Sequence, residues 1–128
     1  LEKRFSQACE NNKDPILKVL KARFSDKQHV LEIGSGTGQH SVYFAAALTH
    51  LTWQTSDVSD NHPSVLAYGH EANLANWRKP LPFYIGKDAW PATDKPYDAI
   101  FSANTAHIMQ PEEVQDMFSL IIEHLPRG

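Results

Sequence analysis

The stretch HVLEIGSGTGQHSVYFAAAL, residues 29–48, constrains the fold of this chain more than any other. A short apolar run ends in an acid, three glycines alternate with small polar residues, and an Ala-rich segment of helical character follows. That succession reads as a buried strand delivering the chain through a tight loop into a helix. Gly34, Gly36 and Gly38 at such a junction permit positive φ and let a ligand approach the backbone closely. The helix that begins beyond them offers unpaired N–H groups. A phosphate-binding P-loop would end in Gly-Lys-Ser/Thr, and this loop holds no lysine. A dinucleotide fingerprint, G-x-G-x-x-G, would need glycine where Gln39 stands. The loop instead reads Glu-x-Gly-x-Gly-x-Gly from Glu32 to Gly38.

Elements of two periods alternate along the rest of the chain. Asp14-Pro15 reads as a helix N-cap with proline at the first helical position, and Leu17, Leu20 and Phe24 carry that helix to about Ser25. HVLEI (29–33) is the first strand and GQHSVYFAAAL (38–48) a buried helix. LTWQTSD (51–57) alternates like a strand and stops at an acid. Asn61 and Pro63 open the next helix, with Leu66, Leu74 and Trp77 expected on one face. LPFYIGKD (81–88) and YDAIFSAN (97–104) are the third and fourth strands, joined by a link holding Trp90-Pro91 and Asp94-Lys95-Pro96. Pro111 opens a last helix, in which Val114, Met117, Phe118, Ile121 and Leu125 recur at helical spacing. Alternating strands and helices predict an α/β fold, a parallel sheet covered on both faces, with ligands bound beyond the carboxyl ends of the strands.

The 128 residues suit one domain, 1–128. A net charge of -3 gives no basic footprint for nucleic acid. The lone Cys9 makes no internal disulfide, and no apolar run approaches the roughly 20 residues of a membrane span. With no signal-peptide pattern, a cytoplasmic setting is expected. The chain starts at Leu1 rather than Met, so a missing natural N-terminus is also expected. No HExxH and no Cys/His spacing for zinc occur among the seven histidines, so no metal site is expected.

The lysine-free loop resembles motif I of the class I S-adenosylmethionine-dependent methyltransferases. Asp57 ends the next strand, where an acid meets ribose hydroxyls, and Asp88 ends the third. More closely, NNKDPIL (11–17), VLEIGSGTGQH (30–40) and DAIFSANTAHI (98–108) resemble the blocks of one methyltransferase-like family whose substrate is not established. The resemblance implies a Rossmann-like doubly wound sheet in the order 3-2-1-4-5-7-6, of which this chain supplies strands one to four and the helix after the fourth. The C-terminal strands are therefore expected to be missing; either the apolar fourth strand, with Ile100 and Phe101, recruits a second copy along its edge, or the natural protein continues beyond Gly128. It implies S-adenosylmethionine as cofactor, held by Gly34, Ser35, Gly36, Thr37 and Gly38, with Glu32 near the methionine ammonium and Asp57 on the ribose diol. Asp88 and Ala89 would meet the adenine. Asn12 and Lys13 would fold over the cofactor mouth, Lys13 near the methionine carboxylate. Asn104 and His107 would face the reacting methyl group, His107 as a general base toward a small-molecule acceptor.

Plainer readings exist for each residue. Glu32 would favour the following helix N-terminus electrostatically. Asp57 would cap the turn SDVSDNH, and Asp88 a turn before Trp90-Pro91. Trp90 would be core, Lys13 a surface residue, Asp14 a cap, and His107 a structural histidine before the last helix, whose first turn Glu112 and Glu113 would favour. Methyl transfer needs alignment and dryness more than a catalytic triad, so the lack of a triad excludes nothing. Two other functions fit the same pattern: a non-catalytic cofactor-binding module serving a partner protein, and a nicotinamide-dependent oxidoreductase, against which Gln39 and Asp88 count.

Overall fold

The computed structural model describes residues 3–83, 91 and 95–102. Their elements are α1 (Gln7–Arg23), β1 (His29–Glu32), α2 (Gln39–Ala47), β2 (Thr52–Asp57), a 3₁₀ turn (Ser59–Asn61), α3 (His62–Ala72), β3 (Trp77–Pro82) and β4 (Ala99–Phe101). The strands form one parallel sheet in the order β3-β2-β1-β4. From β1 to β2 to β3 the chain steps in one direction. Right-handed crossovers then put α2 and α3 on the same face, and α1 packs against α2. Because β4 returns to the other side of β1, the order reverses between β1 and β4, the place where open α/β sheets bind ligands. The loop after β1 opens there.

The core sits between the sheet and this helix layer, on Val30, Phe44, Leu51, Trp53 and Val65, all at most 1% exposed. Phe44 from α2, Trp53 from β2 and Phe101 from β4 form a three-ring cluster with centroids 5.6–5.7 Å apart. Among the described residues no helix is long and apolar enough to cross a membrane.

Two elements begin earlier than the sequence predicts. Asp14 is not an N-cap: α1 starts at Gln7 behind its cap Ser6, whose hydroxyl accepts from Cys9 N–H at 3.3 Å, and Pro15 lies inside the helix. Proline forfeits the bond to the carbonyl four residues back. Helix α1 tolerates this because Ile16, Leu17 and Leu20 pack on the core. It ends at Arg23, with Phe24 as its cap. Likewise α3 stops at Ala72, where Asn73 turns left-handed at φ 52°, so Leu74 and Trp77 lie beyond it. Trp77 instead opens β3, four residues ahead of the expected 81–88. Its indole N–H donates to Ser41 Oγ at 3.0 Å, and its ring lies directly over Gly69 of α3. Pro80 and Pro82 hide the strand from a propensity reading, yet β3 is outermost in the described sheet, where proline is tolerated. The helix expected from Pro111 lies outside the described residues.

Candidate functional site

The loop leaving β1 is built by glycine in the left-handed region: φ is 78° at Gly34, 61° at Gly36 and 100° at Gly38. Two of these positions differ in their surroundings. A Cβ at Gly38 would lie 2.8 Å from Val65 Cα, so this glycine lets α2 and α3 approach. A Cβ at Gly36 would meet nothing within 4 Å. Gly36 therefore faces open space, and its conformation serves the loop itself and whatever lies against it.

The backbone N–H groups of the loop are turned toward β2. Gly34 and Ser35 both donate to the Ser56 carbonyl, at 3.0 and 2.9 Å. Ser56 returns two bonds: its N–H donates to Ser35 Oγ at 3.1 Å and its hydroxyl to the Glu32 carbonyl at 2.6 Å. Asp57, 8% exposed, accepts from Gly36 N–H at 2.7 Å through one carboxylate oxygen and from Val58 N–H at 2.7 Å through the other. Each oxygen can accept again, so the carboxylate that shapes the loop retains capacity for a ligand. Both roles weighed for Asp57, turn anchor and ligand acceptor, thus fit one geometry. His62 meets the Asp57 carbonyl through Nε2 at 2.8 Å.

Glu32 is 2% exposed. Its carboxyl accepts from the Trp53 indole N–H at 3.4 Å, beside the ring cluster. Burial pushes its pKa up to about 7, against the hydrogen bonds from Ser35 and Trp53 that lower it; the nearby charge of Asp57 adds to the rise. A buried carboxyl in this state accommodates either a proton or the charge of a cationic ligand. The loop, Glu32 and Asp57 together fit a ligand that carries positive charge and hydroxyls rather than phosphate.

Of the other expected site residues, Asn12 and Lys13 stand on α1. Asn12 is exposed in the middle of α1. Lys13 donates to Glu10 at 2.9 Å and lies 4.6 Å from the Tyr43 ring centroid, in a hollow of about 440 Å³ between α1, α2 and α3. Asp14 accepts from the Tyr43 hydroxyl. Asp88, Ala89, Asn104 and His107 lie outside the described residues, as does Trp90. A wider hollow of about 1000 Å³ opens at the opposite, amino ends of the strands, between His29, Thr52, Arg78 and Asp98. It is remote from the glycine loop, and Asp98 there accepts from the N–H groups of Gln28 and His29, so its carboxylate anchors β1.

Three residues beside the loop were not read from the sequence as part of the site, although Gln39 was noted there for breaking the dinucleotide pattern. Trp53 shares strand parity with Asp57, which was a usable signal. Gln39 and Ser64 bond to residues 33 and 60 positions away, for which the sequence holds no local sign.

Comparison with solved structures agrees with this architecture. The apo form of the S-adenosylmethionine-dependent methyltransferase SibL matches with a TM-score of 0.75 at 23% identity, over 91% of this chain and 34% of that one. An O-methyltransferase family protein from Burkholderia thailandensis matches at 0.75 and 15%, over 94% and 37%. Coclaurine N-methyltransferase, bound to N-methylheliamine and S-adenosylhomocysteine, matches at 0.69 and 18%, over 98% and 36%. The chain thus spans about a third of these proteins' length. The fold is the Rossmann-like fold of the class I methyltransferases. Residues 3–128 match the family described as "Protein of unknown function (DUF938)", and the chain belongs to that family.

Proposed function

We propose that this protein binds S-adenosylmethionine and transfers its methyl group to a small-molecule acceptor in the cytoplasm. The observation that carries the reading is the lysine-free glycine loop, bound by Asp57 and backed by the buried Glu32. The ligand has a sulfonium, an ammonium and a ribose diol, and lacks phosphate. Asp57 would accept from the diol in charge-assisted hydrogen bonds. Glu32 would face the cationic methionine end, and the Gly34–Gly38 backbone would lie along the methionine and ribose. Asp88 and Ala89 are assigned to the adenine, and Asn104 and His107 to the acceptor side. Asn12 and Lys13 are the α1 contribution, since the solvent-facing Lys13–Glu10 pair costs little to exchange for a ligand carboxylate. The cofactor supplies an already activated methyl group. The chain's part is to align it, neutralise its charge and exclude water.

Calorimetry with S-adenosylmethionine, S-adenosylhomocysteine, NAD and ATP tests this. The first two should bind and the last two should not. Binding of NAD alone would move the site to the oxidoreductases. Transfer of a labelled methyl group from the cofactor into a cell extract would then identify the acceptor. Binding without any transfer would favour a cofactor-holding module that serves a partner protein.

A further inference from the structure

Gln39 stands where a dinucleotide fingerprint has its third glycine, and its amide is engaged at both ends. Oε1 accepts from Ser6 N–H at 2.6 Å and from the Thr37 hydroxyl at 3.0 Å. Nε2 donates to the Ser6 carbonyl at 3.3 Å and to Glu10 at 3.1 Å. The side chain is buried, so none of these bonds is readily replaced by water. A second tie runs in parallel. Ser64, 1% exposed, accepts from Arg4 N–H at 2.9 Å and donates to the Thr37 carbonyl at 2.7 Å. Both ties converge on Thr37, between Gly36 and Gly38: Gln39 takes its hydroxyl and Ser64 its carbonyl.

The outer side of residues 3–6 is fastened to α3 and the turn before it. The Tyr68 hydroxyl donates to the Arg4 carbonyl at 2.6 Å. The Arg4 guanidinium donates to Asn61 Oδ1 at 2.9 Å, and Lys3 pairs with Glu71 at 2.8 Å. Yet this segment has little apolar packing of its own, and Phe5 is 64% exposed. Its docking rests on polar ties to the loop and to α3, the kind of attachment that opens locally at low cost.

We infer that residues 3–6 are a strap that positions the glycine loop, so that a ligand on the loop and the docked strap stabilise each other. The inference rests on the cofactor reading above. Reciprocity is required by linkage: whatever holds Thr37 in its bound geometry favours both events equally. Gln39, Ser64 and Tyr68 act through Thr37 and the strap and are positioning residues.

The test uses the full chain and S-adenosylhomocysteine as the probe. Trypsin cuts after Lys3 and Arg4, within the strap. Saturating ligand should slow cleavage there at least ten-fold. Tyr68→Phe deletes a strap bond without touching the loop, and should weaken binding two-fold or more by calorimetry while the ligand-free unfolding midpoint stays put. Gln39→Leu should weaken binding at least five-fold and abolish the ligand's protection of Arg4. Wild-type protein that fails to bind the probe would overturn the cofactor reading and the strap with it. Wild-type protein that binds while strap cleavage is unchanged, or Tyr68→Phe and Gln39→Leu proteins that bind as tightly as wild type, would overturn the strap alone.

Discussion

Glu32 and Asp57 are both buried acids at the ends of neighbouring strands, but they are satisfied differently. Asp57 has two backbone N–H donors at 2.7 Å, whereas Glu32 has side-chain bonds from Ser35 and, at 3.4 Å, from Trp53, with the apolar ring cluster beside it. The pKa of Glu32 near 7 in the folded state, against an ordinary 4.5, fixes the sign of its pH effect. The stability it contributes as a neutral acid is full below pH 4.5 and is lost as pH rises through 7. The loss amounts to about 3 kcal/mol at 1.36 kcal/mol per unit. Urea unfolding at pH 5 and pH 8 should show this fall, and Glu32→Gln should flatten it; an equal fall in the variant would assign it to another group. Asp57→Ala should weaken S-adenosylhomocysteine binding by roughly 1.5–3 kcal/mol, the range for hydrogen bonds to a charged group. Unchanged affinity in calorimetry would remove Asp57 from the site. The places of both acids, at strand ends beside the glycine loop, were legible in the sequence because each strand pattern stops at an acid. Gln39 and Ser64 were not. Their partners, Ser6 and Arg4, come within reach only once α1 has docked.

Among the elements, the glycine loop separates two roles that a motif merges. Gly38→Ala meets both a positive φ and the Val65 backbone, and should cost at least about 2 kcal/mol of stability, the left-handed penalty plus overpacking. Gly36→Ala meets only the positive φ and should cost about 1 kcal/mol. Its methyl group projects into the open space of the loop, so ligand affinity should fall by more than stability does. Paired denaturation and calorimetry on the two variants would show whether the roles divide in this way. Gly69→Ala would favour α3 by propensity alone. The Trp77 ring, 2.1 Å from the added carbon, should instead make it destabilising by about 1–3 kcal/mol. The boundaries of α1 and β3 were misread for one shared reason. Proline marks a local preference, and at Pro15 and Pro80 tertiary packing outweighed it: Leu17 and Leu20 hold α1, and the Trp77 indole seats β3 against Ser41. The spacing of Leu66, Leu74 and Trp77 suits a helix, but Asn73 turned left-handed ends that helix before the last two.

For the molecule as a whole, the order β3-β2-β1-β4 is the first half of the order that the family resemblance implied, and it follows from the alternation of strand and helix together with crossover handedness. The two ends of the sheet then acquire different characters. At the carboxyl end, the two acids and the loop N–H groups meet between β1 and β2. At the amino end, Asp98 closes the start of β1. The two prolines of β3 carry a further consequence. Phe83 donates inward to the Asp57 carbonyl at 3.0 Å, so by alternation the nitrogen of residue 82 faces away from β2, and it is proline; Pro80 lies where the pairing with β2 shifts register. At residue 82, on the outer rim of the described sheet, the backbone has no hydrogen to offer an incoming chain. A partly folded copy that meets this side finds a poorer template there, because an edge proline withholds a ladder hydrogen bond. Changing Pro80 and Pro82 together to threonine and valine should leave the sheet order intact yet raise light scattering during refolding at micromolar concentration. The prolines that made β3 hard to see in the sequence thus disfavour growth of concentrated, half-folded chains along this side.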